Sequence, residues 1–338
     1  MLIIHTGMIA AAPKRRKFTM AELHWTEIDN VKTLWAEIPG PLRAGLLFRT
    51  GRVDETLVTA GQTHLIEHLT LSSLDDSSHQ HNGFVSADTT GFLTMGNPQG
   101  VSDFFARVCD TLQSLPDKRL ENEKQVLAAE SATRQYDFRS NLLVWRYGAT
   151  GHGLMGLPEL GLQSATPEQL RDFRAQRFTN ENAILWLSGP PPTELRLMLP
   201  HGVKQPFPTL KSLQENFPCW FVDDICGGVA VGATVPRVSA SSVFCEVVLR
   251  RLREHLRMTN AVSYSPLVIY EYLDAVTAHL VLYADSKKEH RAELVKLFGE
   301  VIEGLDRINA SEIDTVHKQI HEYWVGSLAP PPADRLMV

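Results

Sequence analysis

The sequence predicts an α+β protein whose layout is built twice along the chain. Three observations carry this. Each half runs through short alternating apolar stretches and then through long stretches of helical periodicity. A proline-rich break at residues 190–212 separates the halves, and residues 188–210 around it hold six prolines. The 338 residues, 43% hydrophobic and 21% charged, suffice for two globular domains of ordinary size.

Taken in order, residues 1–30 read as a tail, with the basic run Lys14-Arg15-Arg16-Lys17 solvated beside Pro13. Residues 31–56 alternate on either side of Pro39-Gly40-Pro41, which predicts a hairpin. Residues 61–73 read as a helix, Val85 to Met95 as a Thr-rich strand, and Ser102 to Leu115 as an amphipathic helix. Leu120 to Tyr136, rich in Glu, Ala, Lys and Gln, is another helix. Thr166-Pro167-Glu168-Gln169 starts one more, with Thr at the N-cap, Pro at N1 and Gln at N3; it runs to about Phe178, and a strand follows. These elements make a first domain over 31–189.

The second domain, 213–338, begins with a strand near Gly228 to Val235 and a helix over Ser241 to Leu256. Strands near Ser263 to Tyr270 and Ala275 to Tyr283 precede a helix over Lys288 to Leu305, and a last helix starts at Ser311 with Asp314 at N3. The halves show no clear sequence repeat.

Composition narrows the function classes. A net charge of -6 gives no footprint for nucleic acid. No stretch approaches a membrane span. The apolar start MLIIHTGMIAAAP has no charged residues before it and does not read as a secretory signal. Cys109, Cys219, Cys226 and Cys245 have no CxxC spacing and read as free thiols of a reducing, cytoplasmic compartment.

The chemistry lies in His64-Leu65-Ile66-Glu67-His68. On a helix the two histidines share one face and can reach one zinc ion, with Glu67 nearly alongside. Zinc makes a water acidic near neutral pH, and a carboxylate so placed can take its proton. Two histidines on an ordinary amphipathic helix are the plain alternative. A catalytic zinc needs a third protein ligand, and the helix over 120–136 offers Glu121, Glu123 and Glu130. Glu123 and Glu130 are seven residues apart and share a face, so one can bind the ion and the other orient a ligand. A solvated acidic face is the alternative there. Arg251-Leu252-Arg253-Glu254-His255 echoes the first motif without its leading His. His79 and His81 near the motif read as solvated loop residues, and the Gly-rich run around His152 as a flexible loop.

Several stretches, in the right order, resemble the pitrilysin/insulinase (M16) family of zinc peptidases. GQTHLIEHL is similar to its zinc helix, NGFVSADTTGF (82–92) to its edge strand, and ENEKQVLAAE to its Glu-x6-Glu helix. Residues 145–189 resemble the segment closing the first domain, and HLRMTNAVSYS resembles the Leu-Arg…Tyr-Ser motif of the second. The resemblance covers about residues 31–330. It implies two related α/β-sandwich domains forming half of a clamshell, and one Zn2+ per chain. His64, His68 and Glu130 would be its ligands, Glu67 the general base, and Glu123 a partner of a ligating histidine. Arg257 and Tyr264 would hold the substrate backbone and the developing oxyanion, acting across a homodimer or heterodimer. Asn82, Gly83 and Phe84 would pair with a peptide added at the sheet edge. A surface Arg and a packed Tyr are the plain alternatives for that pair.

Departures accompany the resemblance. His68 and Glu130 are 62 residues apart (130 minus 68), shorter than usual, and Gly83 and Val85 stand where Ala and Thr are common. The second domain would be shortened at its C-terminus. The implied function is hydrolysis of peptides or unfolded segments in a closed chamber. A non-catalytic peptide-binding or structural subunit is the alternative, and a protease trimming leader peptides is one substrate assignment.

Overall fold

The computed structural model describes residues 22–72, 74, 80–133, 137–214, 216–223 and 225–326, with the side chains of 321–326 excepted. His79 and the final residues of the second domain lie outside these.

The first half is a six-stranded sheet covered by helices. Its strands are β1 (His24–Ile28), β2 (Val31–Trp35), β3 (Leu42–Phe48), β4 (Gln80–Val85), β5 (Thr90–Gly96) and β6 (Ala183–Leu187), in the order β1-β2-β6-β3-β5-β4. The hairpin expected over 31–56 does not form. β6 lies between its two arms, parallel to β2 and antiparallel to β3. The arms are both largely buried, and each finds its ladder partners in β6 rather than in the other. The hairpin that does form joins β1 to β2, inside the stretch read as tail. Its two turn residues, Asp29 (φ 50°) and Asn30 (φ 64°), both take the left-handed conformation that matches strand twist. The strand expected over Val85 to Met95 is likewise two strands, β4 and β5, folded over a turn in which the Thr89 N–H donates to Ser86 Oγ at 3.1 Å.

Helix α1 (Gln62–Leu71) follows β3, and α2 (Pro98–Gln113) follows β5. The α2 sequence buries Val101, Phe104, Phe105, Val108, Cys109 and Leu112, one helical stripe, against β3 and β5. Asn97 caps it by accepting from the Gly100 N–H at 2.8 Å, with Pro98 next in line. Leu65, Ile66 and Leu69 of α1 enter the same core beside Phe48, Phe92 and Phe178. Helix α3 (Leu120–Thr133) packs along α1. Helix α5 (Pro167–Arg177) begins with the capping box Thr166/Gln169.

Helix α4 (Phe138–Tyr147), not anticipated from the sequence, sits between the halves. Phe138 stacks on Tyr283 with ring centroids 4.1 Å apart, and Arg139 Nη1 meets Glu271 at 3.2 Å. The Gly-rich run around His152 is ordered. It forms a 3-10 turn over Gly151–Gly156, and the buried His152 donates from Nε2 to Leu273 O at 2.7 Å. The proline-rich segment packs on the first half: Leu195 and Leu197 enter its core, and the Leu197 N–H donates to Asp29 at 2.7 Å.

The second half holds β7 (Gly228–Pro236), α6 (Ser241–Leu252), β8 (Leu267–Tyr272), β9 (Thr277–Asp285), α7 (Arg291–Glu303) and α8 (Ala310–Gly326). Its sheet order is β7-β9-β8, all antiparallel. This repeats β3-β5-β4, and the connectivity strand–helix–strand–strand–helix is the same in both halves. The duplication is therefore present in topology. After Leu252 the chain widens into a π-helix through Thr259. The start of α8 is set by Asn309 rather than Ser311: its side chain accepts from the Glu312 N–H, and Glu312 accepts from the Asn309 N–H. No helix among the described residues is long and apolar enough to cross a membrane.

Candidate metal centre

Two buried features aim α1. Gly61, just before the helix, has φ of 100°, a conformation open to glycine, and its N–H and that of Thr63 donate to the Glu55 carboxylate at 2.9 and 2.7 Å. Leu65, Ile66 and Leu69 then fix the rotation of the helix by burying its core face. The opposite face presents His64, Glu67 and His68 to a cavity of about 730 Å³.

In that cavity the donor atoms converge. The ligand atoms of His64, Glu67 and His68 lie within 4.8 Å of one another. Glu130 Oε2, from α3, stands 3.7 Å from His64 Nε2 and 3.7 Å from His68 Nε2. Two atoms each about 2.1 Å from a tetrahedral ion are about 3.4 Å apart, so this spacing suits one ion between them. Glu67 Oε2 is 3.8 Å from His68 Nε2.

Behind the histidines, each Nδ1 faces a carboxylate that is itself near an arginine. His68 Nδ1 is 3.4 Å from Glu123, and Arg119 donates to Glu123 at 3.0 Å. His64 Nδ1 donates to Glu159 at 3.1 Å, and Arg52 Nε lies 3.9 Å from the same oxygen. The charged lining is thus Glu67, Glu123, Glu130 and Glu159 against Arg52 and Arg119. The carboxylates outnumber the guanidinium groups four to two, an acidic surplus that a divalent cation would offset. Donor set, spacing and charge all fit a zinc ion.

The titration of these groups reflects the same crowding. Burial, aided by the charges of Glu130 and Glu123 and opposed by His64, pushes Glu67 up to about 7. Burial disfavours charge on His64, but the hydrogen bond and charge of Glu159 outweigh it, with Glu130 and Glu67 helping, and raise its pKa. His68 moves down, through burial first and then the neighbouring His64.

The structure brings His64, Glu67, His68, Glu123 and Glu130 to one cavity, together with Asn82, Gly83 and Phe84 of β4, the edge strand. Gly83 lies against Glu67: a Cβ there would collide with the Glu67 carboxylate. His81, read from the sequence as a solvated loop residue, lies on β4 with its ring 5.7 Å from that of Phe104. Arg257 and Tyr264 are together, the guanidinium carbon 4.9 Å from the ring centroid, but neither lines the cavity, and Tyr264 is 73% exposed. The echo motif is used up in other contacts: Arg251 binds Glu312 and His255 meets Glu300 at 3.0 Å. Glu159, Arg52 and Arg119 are the charged cavity residues that sequence reasoning missed. A lone acid among apolar and glycine neighbours in MGLPELGL was the available signal for Glu159.

Against known structures the chain matches a protease from Helicobacter pylori with a TM-score of 0.69 at 15% identity, over 92% of this chain and 86% of that one. A chain of Complex III2 from Candida albicans matches with 0.70 at 14% identity, over 91% and 82%. Pitrilysin matches with 0.67 at 14% identity; 90% of this chain covers 38% of that one. The fold is that of an M16 peptidase half. No sequence-family model matches the chain, and no curated protein matches it.

Proposed function

We propose that this chain is a zinc-dependent endopeptidase that hydrolyses peptides or unfolded segments in a closed chamber. The convergence of His64 Nε2, His68 Nε2 and Glu130 Oε2 beside a buried Glu67 is the observation that supports it most. His64, His68 and Glu130 would hold the ion, which when bound supplies Lewis acidity toward water and the scissile carbonyl. Glu67 takes the proton of the attacking water and delivers it to the leaving amine, a role its position 3.8 Å from His68 Nε2 suits. Asn82 to Phe84 offer the backbone of an edge strand, so an extended peptide can add to the sheet and run past Glu67.

Arg257 and Tyr264 act on the substrate of a second chain. Their pairing, their exposure and their distance from this chain's own cavity favour that role in a homodimer or heterodimer. The cysteines are all unbonded, in keeping with a cytoplasmic setting. Removing metal with a strong chelator should abolish cleavage of a quenched unstructured peptide, and added zinc should restore it; cleavage that persists without metal would rule the assignment out.

The second reading, a non-catalytic structural or peptide-binding subunit, draws on the likeness to a chain of Complex III2. The intact His/Glu set favours the enzyme. Trimming of leader peptides remains one substrate assignment, to be tested with such peptides directly.

A further inference from the structure

The carboxylate of Glu159 is 2% exposed, and it comes from a loop 95 residues away in sequence from the histidine it touches. Burying a carboxylate is expensive unless it is hydrogen-bonded and paired. This one lies in a segment stitched to the start of α1. Arg52 Nη2 donates to Leu154 O at 3.0 Å and to Leu157 O at 2.9 Å, and the Gly161 N–H donates to Ala60 O at 2.9 Å. Gly61 has no room for a side chain because Leu162 and the Glu159 Cβ occupy that space. The loop and the helix start therefore fix each other's position.

A carboxylate can only accept from His64, so the shared proton sits on Nδ1 and the lone pair sits on Nε2. Nε2 is the atom facing Glu130 and His68 across the cavity. We infer that Glu159, braced by Arg52, is a positioning residue that locks His64 in its Nε2-ligating tautomer and thereby sets the affinity for the metal. This rests on the zinc reading above. It also makes the two histidines alike: Glu123 with Arg119 stands behind His68 as Glu159 with Arg52 stands behind His64.

The test is zinc affinity, by competition with a chromophoric chelator, for wild type, Glu159→Gln and Glu159→Ala, with thermal unfolding measured alongside. Removing such an orienting carboxylate typically weakens metal binding roughly 10–100-fold. We expect a loss of that size for Glu159→Ala and a smaller loss for Glu159→Gln, whose oxygen still accepts from Nδ1. Folded variants that bind zinc as tightly as wild type would overturn the inference and leave the metal site standing. A wild type that binds no zinc would overturn the metal reading itself, and this inference with it. Should both variants fail to fold, the 15N shifts of His64 in the wild-type protein decide: Nδ1–H supports the inference, Nε2–H overturns it.

Discussion

The two halves share one strand–helix–strand–strand–helix unit and differ in what faces its first helix. In the first half α1 is flanked by α3 and by the edge strand β4, and its outer face opens on a cavity lined by four carboxylates. In the second half the motif that resembles it lies elsewhere: His64 is the third residue of α1, whereas Arg251 is the eleventh of α6, where the helix passes into the π-turn. There the charged groups neutralise one another at the surface. The same connectivity thus yields a candidate metal centre only where neighbouring elements bring unbalanced carboxylates to a histidine pair. Sequence likeness between two short motifs carries no chemistry unless the flanking elements also agree.

The sharpest way to break this comparison is to exchange the histidines' fates. His68→Ala should remove zinc binding and all measurable peptide hydrolysis, while His255→Ala should leave both unchanged; metal analysis and a peptide assay on the two variants check it. A His255→Ala protein that lost zinc would place a metal in the second half and refute the contrast. A finer test is Gly83→Ala. Its Cβ would displace the Glu67 carboxylate and crowd Leu71, with neither His64 nor His68 among the nearest atoms, and a misplacement of about 1 Å can cost about 100-fold in rate. We expect kcat to fall on that order with zinc content retained; a fall in zinc content instead would mean that Gly83 serves the ligands rather than the base.

The smallest effect belongs to the second half. Arg251 holds Glu312 in the folded state, through paired hydrogen bonds helped by the Asn309 N–H, and depresses its pKa from 4.5 to about 2. A depressed carboxylate contributes stability above its unfolded pKa and loses it as pH falls through the folded value. The stability gap between wild type and Glu312→Gln should therefore be full above about pH 5 and vanish toward pH 2. Because the pair is solvent-facing, the gap should be small, and chemical denaturation across that pH range would reveal it.

Much of the site was legible in the sequence because it is written in helical spacing. His64 and His68 share a face by being four apart, and Glu123 and Glu130 by being seven apart. Fold class and the Thr166/Gln169 cap were readable for the same local reasons. Pairings between distant residues were not. β6 enters between β2 and β3 from 135 residues further along (183 minus 48), and no local signal announces it. Glu159 reaches His64 from a loop with no periodicity. The duplication was legible as a layout built twice but not as a sequence repeat, because topology depends on burial pattern, which many unlike residues satisfy, rather than on their identity.

One measurement bears most directly on the central claim, that α1 carries a zinc-dependent base. Metal content and peptide hydrolysis should be determined side by side for wild type and Glu67→Gln. We expect about one zinc per chain in both proteins and a loss of roughly 10²–10⁴-fold in kcat for the variant, the usual size of a general-base effect. A Glu67→Gln protein that keeps wild-type activity, or a wild type that neither binds zinc nor cleaves peptide, would contradict it.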